Sequence, residues 1–227
     1  MTPQARKDAA KKVRDGDKAA AANDWEKAEK EYLAALERNP LEAPALFGLG
    51  RVQMATKRYA EALETYTKLK AAHAQAVSLA ERDQAESQAR IETDLNDLRG
   101  QLARLQGLPD GNTRDGERVK LEESIRELER QKSRGGELDA EVPAEVSLAT
   151  GSAHFRLGHS KEAEAEFRDA IRKNAKLGEA HNNLAVLLML DGRYEEAEKE
   201  LTAAASSGFA VNPKLREELE HRKAQAK

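Results

Sequence analysis

The 227-residue chain has no cysteine, so no thiol nucleophile is available, and the redox character of its compartment is left open. Aromatic residues make up only 4% of it, and β-branched runs that would build strands are few. An all-α chain is expected. No stretch of about 20 apolar residues is present, which excludes membrane insertion through a helix. Residues Met1 to Arg6 also lack the apolar core of a signal peptide. The expected location is cytoplasmic, with the periplasm as the alternative if a signal or lipid-anchor sequence was removed ahead of this start. Neither sign of charge dominates: 38 Lys and Arg face 41 Asp and Glu, a formal net charge of −3, with no dense basic run. Nucleic acid and anionic membranes are therefore not the expected partners.

Catalytic constellations are missing in the same way. There is no Gly-x-Ser-x-Gly elbow, no phosphate loop, no Gly-x-Gly-x-x-Gly and no His-Glu-x-x-His. His154 and His181 fall at helix-packing positions, while His73, His159 and His221 are scattered, so the histidines read as structural rather than as metal ligands. The many carboxylates read as a solvated helical face. No enzyme activity, cofactor or metal is expected.

What is present is a repeat. Four segments carry an alanine followed four residues later by a larger side chain and seven later by a small or apolar one: Ala28 with Tyr32 and Ala35, Ala62 with Tyr66 and Leu69, Ala163 with Phe167 and Ala170, and Ala197 with Leu201 and Ala204. Ala28 to Ala62 is 34 residues, and so is Ala163 to Ala197. A fixed period near this length marks supersecondary units that must stack on one another to bury their apolar faces. The small residues share one helix face and let a neighbouring helix approach closely, with the larger side chain filling the gap. Upstream lie turns at Leu157-Gly158-His159 and Asp191-Gly192-Arg193, where glycine can take the positive φ that ends a helix. Asn23 and the Lys57-Arg58 pair occupy the same place in the first two units.

These residues resemble the tetratricopeptide repeat. The resemblance is carried best by Leu46, Leu49 and Gly50 followed by Tyr59, Ala62 and Tyr66, and by His181-Asn182-Asn183-Leu184-Ala185 followed by Gly192, Tyr194 and Ala197. It places repeats at about 9–42, 43–76, 144–177 and 178–211. The implied fold is a tetratricopeptide-repeat superhelical solenoid. Departures from the pattern are Lys12 and Ser147 where a bulky residue is usual, and Ser160 in place of tyrosine.

Between the second and third repeats, Ile91, Leu95, Leu98, Leu102 and Leu105 follow one another at gaps of four, three, four and three, a heptad seam. After the turn-rich stretch 107–116, Leu121, Ile125 and Leu128 continue at the same gaps. Pairing Leu105 with Leu121, Leu102 with Ile125 and Leu98 with Leu128 suits an antiparallel coiled-coil hairpin folded about Asn112–Thr113. Nothing breaks the helix between Tyr59 and Arg99, so one rod ending near Gln106 is expected, with a bend near His73–Val77 as the alternative. The return helix is expected over about 117–134, and Pro143 as the first residue of the third repeat's helix. The expected organisation is 1–76, two repeats; 77–143, hairpin and linker; 144–211, two repeats; and 212–227, a capping helix with Leu215 and Leu219 facing inward.

The resemblance implies that partners bind in the concave groove lined by the first helix of each repeat. Its positions here are Val13, Arg14, Asp17 and Ala20; Phe47, Arg51 and Met54; Leu148, Ser152, Phe155 and Arg156; and Glu179, Asn182, Asn183, Val186 and Met189. The family's clamp for a C-terminal carboxylate needs Lys, Asn and Arg at the fifth and ninth positions. This chain has Val13, Phe47, Leu148 and Asn182 at the fifth, and Asp17, Arg51, Ser152 and Val186 at the ninth. The cationic cluster is missing. Asn182 and Asn183 can hydrogen-bond an extended backbone, and the apolar positions with flexible Met54 and Met189 favour an amphipathic helix or apolar segment. The expected function is a protein-protein interaction scaffold or adaptor binding a peptide or amphipathic helix, as an assembly factor of a larger complex. The alternative is an accessory subunit that forms a homodimer through the hairpin.

Overall fold

The structure, a computed structural model, describes residues 3–106, 112–134 and 140–225. Among them are ten α-helices and no strand. In chain order these are α1 (Pro3–Ala21), α2 (Trp25–Arg38), α3 (Ala43–Ala55), α4 (Tyr59–Gln106), α5 (Asn112–Ser133), α6 (Ala144–Arg156), α7 (Ser160–Lys173), α8 (Gly178–Leu190), α9 (Tyr194–Ser206) and α10 (Pro213–Gln225). They form two compact units, residues 1–73 with 141–227 and residues 74–140.

The first unit is a stack of helix pairs. Each pair is joined by a tight turn, and the turn residues Asn23, Lys57, Gly158 and Gly192 all take positive φ, between 58° and 80°. Inside each pair a small residue on the first helix receives a larger side chain from the second. Gly16, Gly50, Gly151 and Ala185 stand sixteen residues before Tyr32, Tyr66, Phe167 and Leu201, and all four of these larger residues are buried. A methyl group on Gly50 would lie 2.3 Å from the Tyr66 ring, and one on Gly151 would lie 2.8 Å from Phe167. The aromatic packing therefore depends on the missing Cβ. Where the first-helix residue is Ala185, the partner is the smaller Leu201.

Two of the departures from the repeat pattern, Lys12 and Ser147, have polar explanations. Lys12 pairs with Glu31 at 2.6 Å. Ser147, fully buried, donates to Asp169 Oδ2 at 2.7 Å and accepts from Lys173 Nζ at 3.0 Å. His181, at the same position of the last repeat, lies 2.6 Å from Glu200. Short hydrogen-bonded pairs thus replace an apolar wedge between the helices of three repeats.

The stack does not stop where the long insertion leaves it. Leu46, Ala62, Tyr66, Leu69 and Ala72 share one apolar cluster with Val146 and Ala153 of the third repeat. Lys70 also reaches Glu166 at 2.5 Å. At the other junctions a turn arginine clips back onto the preceding pair, Arg58 onto Glu29 at 2.7 Å and Arg193 onto Glu164 at 2.8 Å. His159 occupies the equivalent turn position in the third repeat, and there the Lys70–Glu166 pair takes over. At the C-terminal end Leu219 of α10 is buried in the last core cluster, with Leu215 packed beside it.

α4 is helical without interruption from Tyr59 to Gln106, and its residues from Ala74 onward belong to the second unit. Leu95 and Ile125 are buried, while Ile91, Leu98, Leu102, Leu105, Leu121 and Leu128 are half-buried. Arg99 pairs with Glu129 at 2.8 Å and Glu92 with Lys132, so α4 and α5 run antiparallel through this stretch. Leu98 and Leu128 border one shallow cleft. Two boundaries differ from expectation. α5 begins at Asn112 rather than near Glu117, with Asp115 in its first turn, where a carboxylate favours the positive end of the helix. The expected fold point at Asn112–Thr113 is therefore helical, and residues 107–111 lie outside the described residues. α6 begins at Ala144, one residue later than expected, with Pro143 as its N-cap at an extended ψ of 143°.

Candidate protein-binding groove

The first helices of the four pairs are α1, α3, α6 and α8. Because the stack is continuous, α3 and α6 pack side by side although some 90 residues separate them in sequence. Their expected groove positions differ in exposure. Arg51 is exposed, and Phe47, Met54, Phe155, Asn182, Asn183 and Val186 are half-buried. Phe47 and Met54 pack against the cluster joining repeats two and three, and Phe155 against that of the last two repeats. The rings of Phe47 and Tyr66 are 6.2 Å apart and tilted by 47°, an edge-leaning aromatic contact that fixes Phe47 from behind. The Asn182 and Asn183 amides approach at 3.5 Å, too long to hold them, so their hydrogen-bonding capacity is uncommitted to each other.

Three expected positions turn out to be core. Met189 is 6% exposed and belongs to the last cluster, which Leu219 of the capping helix α10 completes. It lines no open surface. Leu148 and Val13 are buried at 7% and 8% exposure, so the fifth position packs inward in the first and third repeats. Arg14, Asp17, Arg156 and Glu179 are exposed, giving the surface charges of both signs. Asp17 accepts a hydrogen bond from the Tyr32 hydroxyl at 2.7 Å. Burial of the phenol, then that bond, push Tyr32 well above the ordinary tyrosine range.

A further pKa effect lies in the structural network around Ser147. Partial burial alone would raise Asp169, but hydrogen bonds from Lys173, Ser147 and Arg172 reverse this and bring it down to about 2. Arg193 is held above the usual arginine range by Glu196 and Glu164. Asp169 ties α7 to Ser147 of α6, and Arg193 ties its turn to Glu164 of α7.

Sequence reasoning missed two features. The arginine clips were legible, since Glu29 and Arg58 have the same 29-residue spacing as Glu164 and Arg193. The other is a cavity of about 310 Å³ between α3, the solenoid part of α4 and the start of α6, bordered by Phe47, Leu69, His73, Val142 and Val146. Its residues come from segments far apart in sequence, and no local pattern announces it. Among the described residues no cluster of three or more His, Cys, Asp or Glu could hold a metal ion, and no helix is long and apolar enough to cross a membrane.

Comparison with known proteins finds the same repeat family. The chain matches the tetratricopeptide repeat over residues 14–77 and 148–210, the two halves on either side of the insertion. None of the curated proteins matches it. Among solved structures it is similar to TTC0263, a tetratricopeptide-repeat protein of Thermus thermophilus, at 21% identity, covering 95% of this chain and 99% of that one with a TM-score of 0.42. It is also similar to PilW, a type IV pilus biogenesis factor, at 15% identity, 96% and 91% coverage and a TM-score of 0.42. A third is PilF of Pseudomonas aeruginosa, at 16% identity, 98% and 91% coverage and a TM-score of 0.38. With the 34-residue period, the positive-φ turns and the small-to-large packing of each helix pair already observed, this match establishes that the chain belongs to the tetratricopeptide repeat family, whose members bind other proteins or peptides.

Proposed function

We propose that the protein is a non-enzymatic scaffold that holds a peptide or amphipathic helix of a partner protein against the face formed by α3, α6 and α8, as an assembly factor of a larger complex. The observation carrying this reading is the unbroken packing of repeats two and three across the insertion, which sets Phe47 and Arg51 on the same stack as Phe155 and Val186. Half-buried aromatic and aliphatic side chains flanked by charges of both signs suit an amphipathic segment, with apolar anchors inside and a polar rim outside. The face lacks the cationic cluster needed to clamp a terminal carboxylate, so an internal segment is the favoured ligand.

Self-association through the hairpin is the weaker reading. Leu95 and Ile125 are already buried within one chain, and Arg99–Glu129 and Glu92–Lys132 pair across the same two helices, so the centre of the seam is used within a single copy.

The test is the double substitution Phe47→Ala with Arg51→Glu, assayed by capture of partner from extract of the source organism alongside circular dichroism. Loss of a partner with full helicity supports groove binding, and retention of the same partner contradicts it. Met189→Ala is unsuited to this purpose, because emptying a buried position costs about 2–5 kcal/mol of stability and would mimic loss of binding.

A further inference from the structure

The two edges of the hairpin seam differ in charge. One is closed by Arg99–Glu129 at 2.8 Å and by Glu92–Lys132, and among the described residues no other ion pair crosses between α4 and α5. None of these four residues lines the cleft of about 560 Å³ that Leu98 and Leu128 border. That cleft opens on the other flank of α4, where Asp94 and Gln101 repeat the seven-residue spacing of Glu92 and Arg99 from two residues further on. It is also lined by Asp97 and by Glu127 of α5, and among the described residues no lysine or arginine lines it. Asp94 and Asp97 enter no ion pair among the described residues, and Glu127 is paired only within its own helix, with Arg130 at 3.5 Å. Leu98 and Leu128 stay half-buried beneath these exposed carboxylates.

An apolar floor with a carboxylate rim selects an occupant on two counts. The leucines call for apolar side chains, and the rim calls for positive charge, since carboxylates gathered in one cleft repel one another until cations lie between them. A single metal ion does not meet the second need, because among the described residues no group of three or more His, Cys, Asp or Glu could hold one. Nucleic acid and anionic membranes are repelled by the same rim. The lining runs along two turns of α4, from Asp94 to Gln101, beside an antiparallel α5, and a surface of that shape receives the side chains of a third helix. We propose that this edge of the hairpin docks an amphipathic helix of a partner protein, with apolar side chains on Leu98 and Leu128 and lysine or arginine beside Asp94, Asp97 and Glu127. The site lies wholly within the unit of residues 74–140 and does not depend on the face formed by α3, α6 and α8.

The experiment uses the full chain, labelled at its leucine methyl groups, and three blocked peptides of about 15 residues. The first carries leucines along one helical face flanked by lysines. The second has glutamate in place of each lysine, and the third holds the residues of the first in an order that forms no apolar face. The expected result is saturable NMR shifts of Leu98 and Leu128 with the first peptide, while the exposed Leu33 and Leu41 of the solenoid stay unmoved. The second peptide should give no shift, and the third should bind roughly tenfold more weakly. Asp94→Asn with Asp97→Asn should weaken the first peptide roughly fivefold, the effect expected of two exposed charge pairs. Glu37→Gln with Glu64→Gln removes the same charge from exposed positions of the solenoid and should leave the affinity unchanged. Absence of saturable shifts at Leu98 and Leu128, equal binding of the second or third peptide, or equal weakening by both double variants overturns the inference. Light scattering on the chain alone tests the remaining occupant. A dimer that Asp94→Asn with Asp97→Asn dissociates would assign the cleft to a second copy and refute the partner helix.

Discussion

Replacing glycine by alanine should have opposite effects at two helical positions of this chain, and the sign tests how the helix pairs are packed. At Gly50 the new Cβ would stand 2.3 Å from Cε1, 2.7 Å from Cζ and 2.9 Å from Cδ1 of Tyr66. That ring is 1% exposed and backed by Phe47 at 6.2 Å, so it has nowhere to retreat. Overpacking of a rigid site costs up to about 3 kcal/mol, and alanine returns about 1 kcal/mol through its better helix propensity. The net expectation for Gly50→Ala is a loss of about 2 kcal/mol, which lowers Tm by roughly 4–8 °C for a chain of this size. Gly100 sits in α4 with nothing within 4 Å of its Cβ direction. Gly100→Ala keeps the propensity gain and should stabilise the hairpin by about 0.5–1 kcal/mol. Thermal and urea unfolding followed by circular dichroism at 222 nm reads both. A neutral or stabilising Gly50→Ala would refute the seating of Tyr66 on a bare backbone, and with it the same account of Gly16 and Gly151.

Other predictions follow from the polar network and the hairpin. Asp169→Asn should cost about 1–2 kcal/mol at pH 7, after allowance for the partial exposure of the carboxylate. Because the folded pKa of Asp169 is depressed to about 2 from 3.8, its contribution is complete above the unfolded value and is lost as the pH falls from about 4 to 2, so the two proteins should converge in urea midpoint over that window. Leu98→Asp with Leu102→Asp should lower the helicity of the hairpin and leave the mass from light scattering unchanged; a fall from dimer to monomer would reinstate self-association. Replacing residues 74–140 by a short flexible linker should leave the solenoid folded, since Lys70–Glu166 and the Val146 cluster join repeats two and three directly. Collapse of its cooperative unfolding would contradict that.

Much of this architecture is local and so could be read along the chain. A positive φ needs glycine or asparagine within a short turn, and the 34-residue recurrence of alanines locates each second helix; even Lys57, at φ 62°, is found by its place in the period rather than by its type. The continuous α4 follows from the lack of any breaker between Tyr59 and Arg99. What escaped depends on neighbours distant in sequence. Ser147 looks like a defect until Asp169 and Lys173 are placed around it. Met189 carries a groove position's number but is buried in the cluster that joins the last two repeats and α10. The start of α5 at Asn112 was hidden because the glycines around it read as a turn, although Gly116 lies inside the helix. The His73 cavity is bordered by α3 and α6, which lie in contact though far apart in sequence.

The most direct test of the central claim is site-specific photocrosslinking in extract of the source organism, with a photoreactive residue at Arg51 on α3, at Leu33 on the exposed side of α2, or at Val119 on α5. All three positions are exposed, so access alone does not distinguish them. The account predicts a discrete crosslinked protein from Arg51 that is absent from Leu33 and Val119. A product from Leu33 or Val119 with none from Arg51 would contradict it and move the binding surface off the groove.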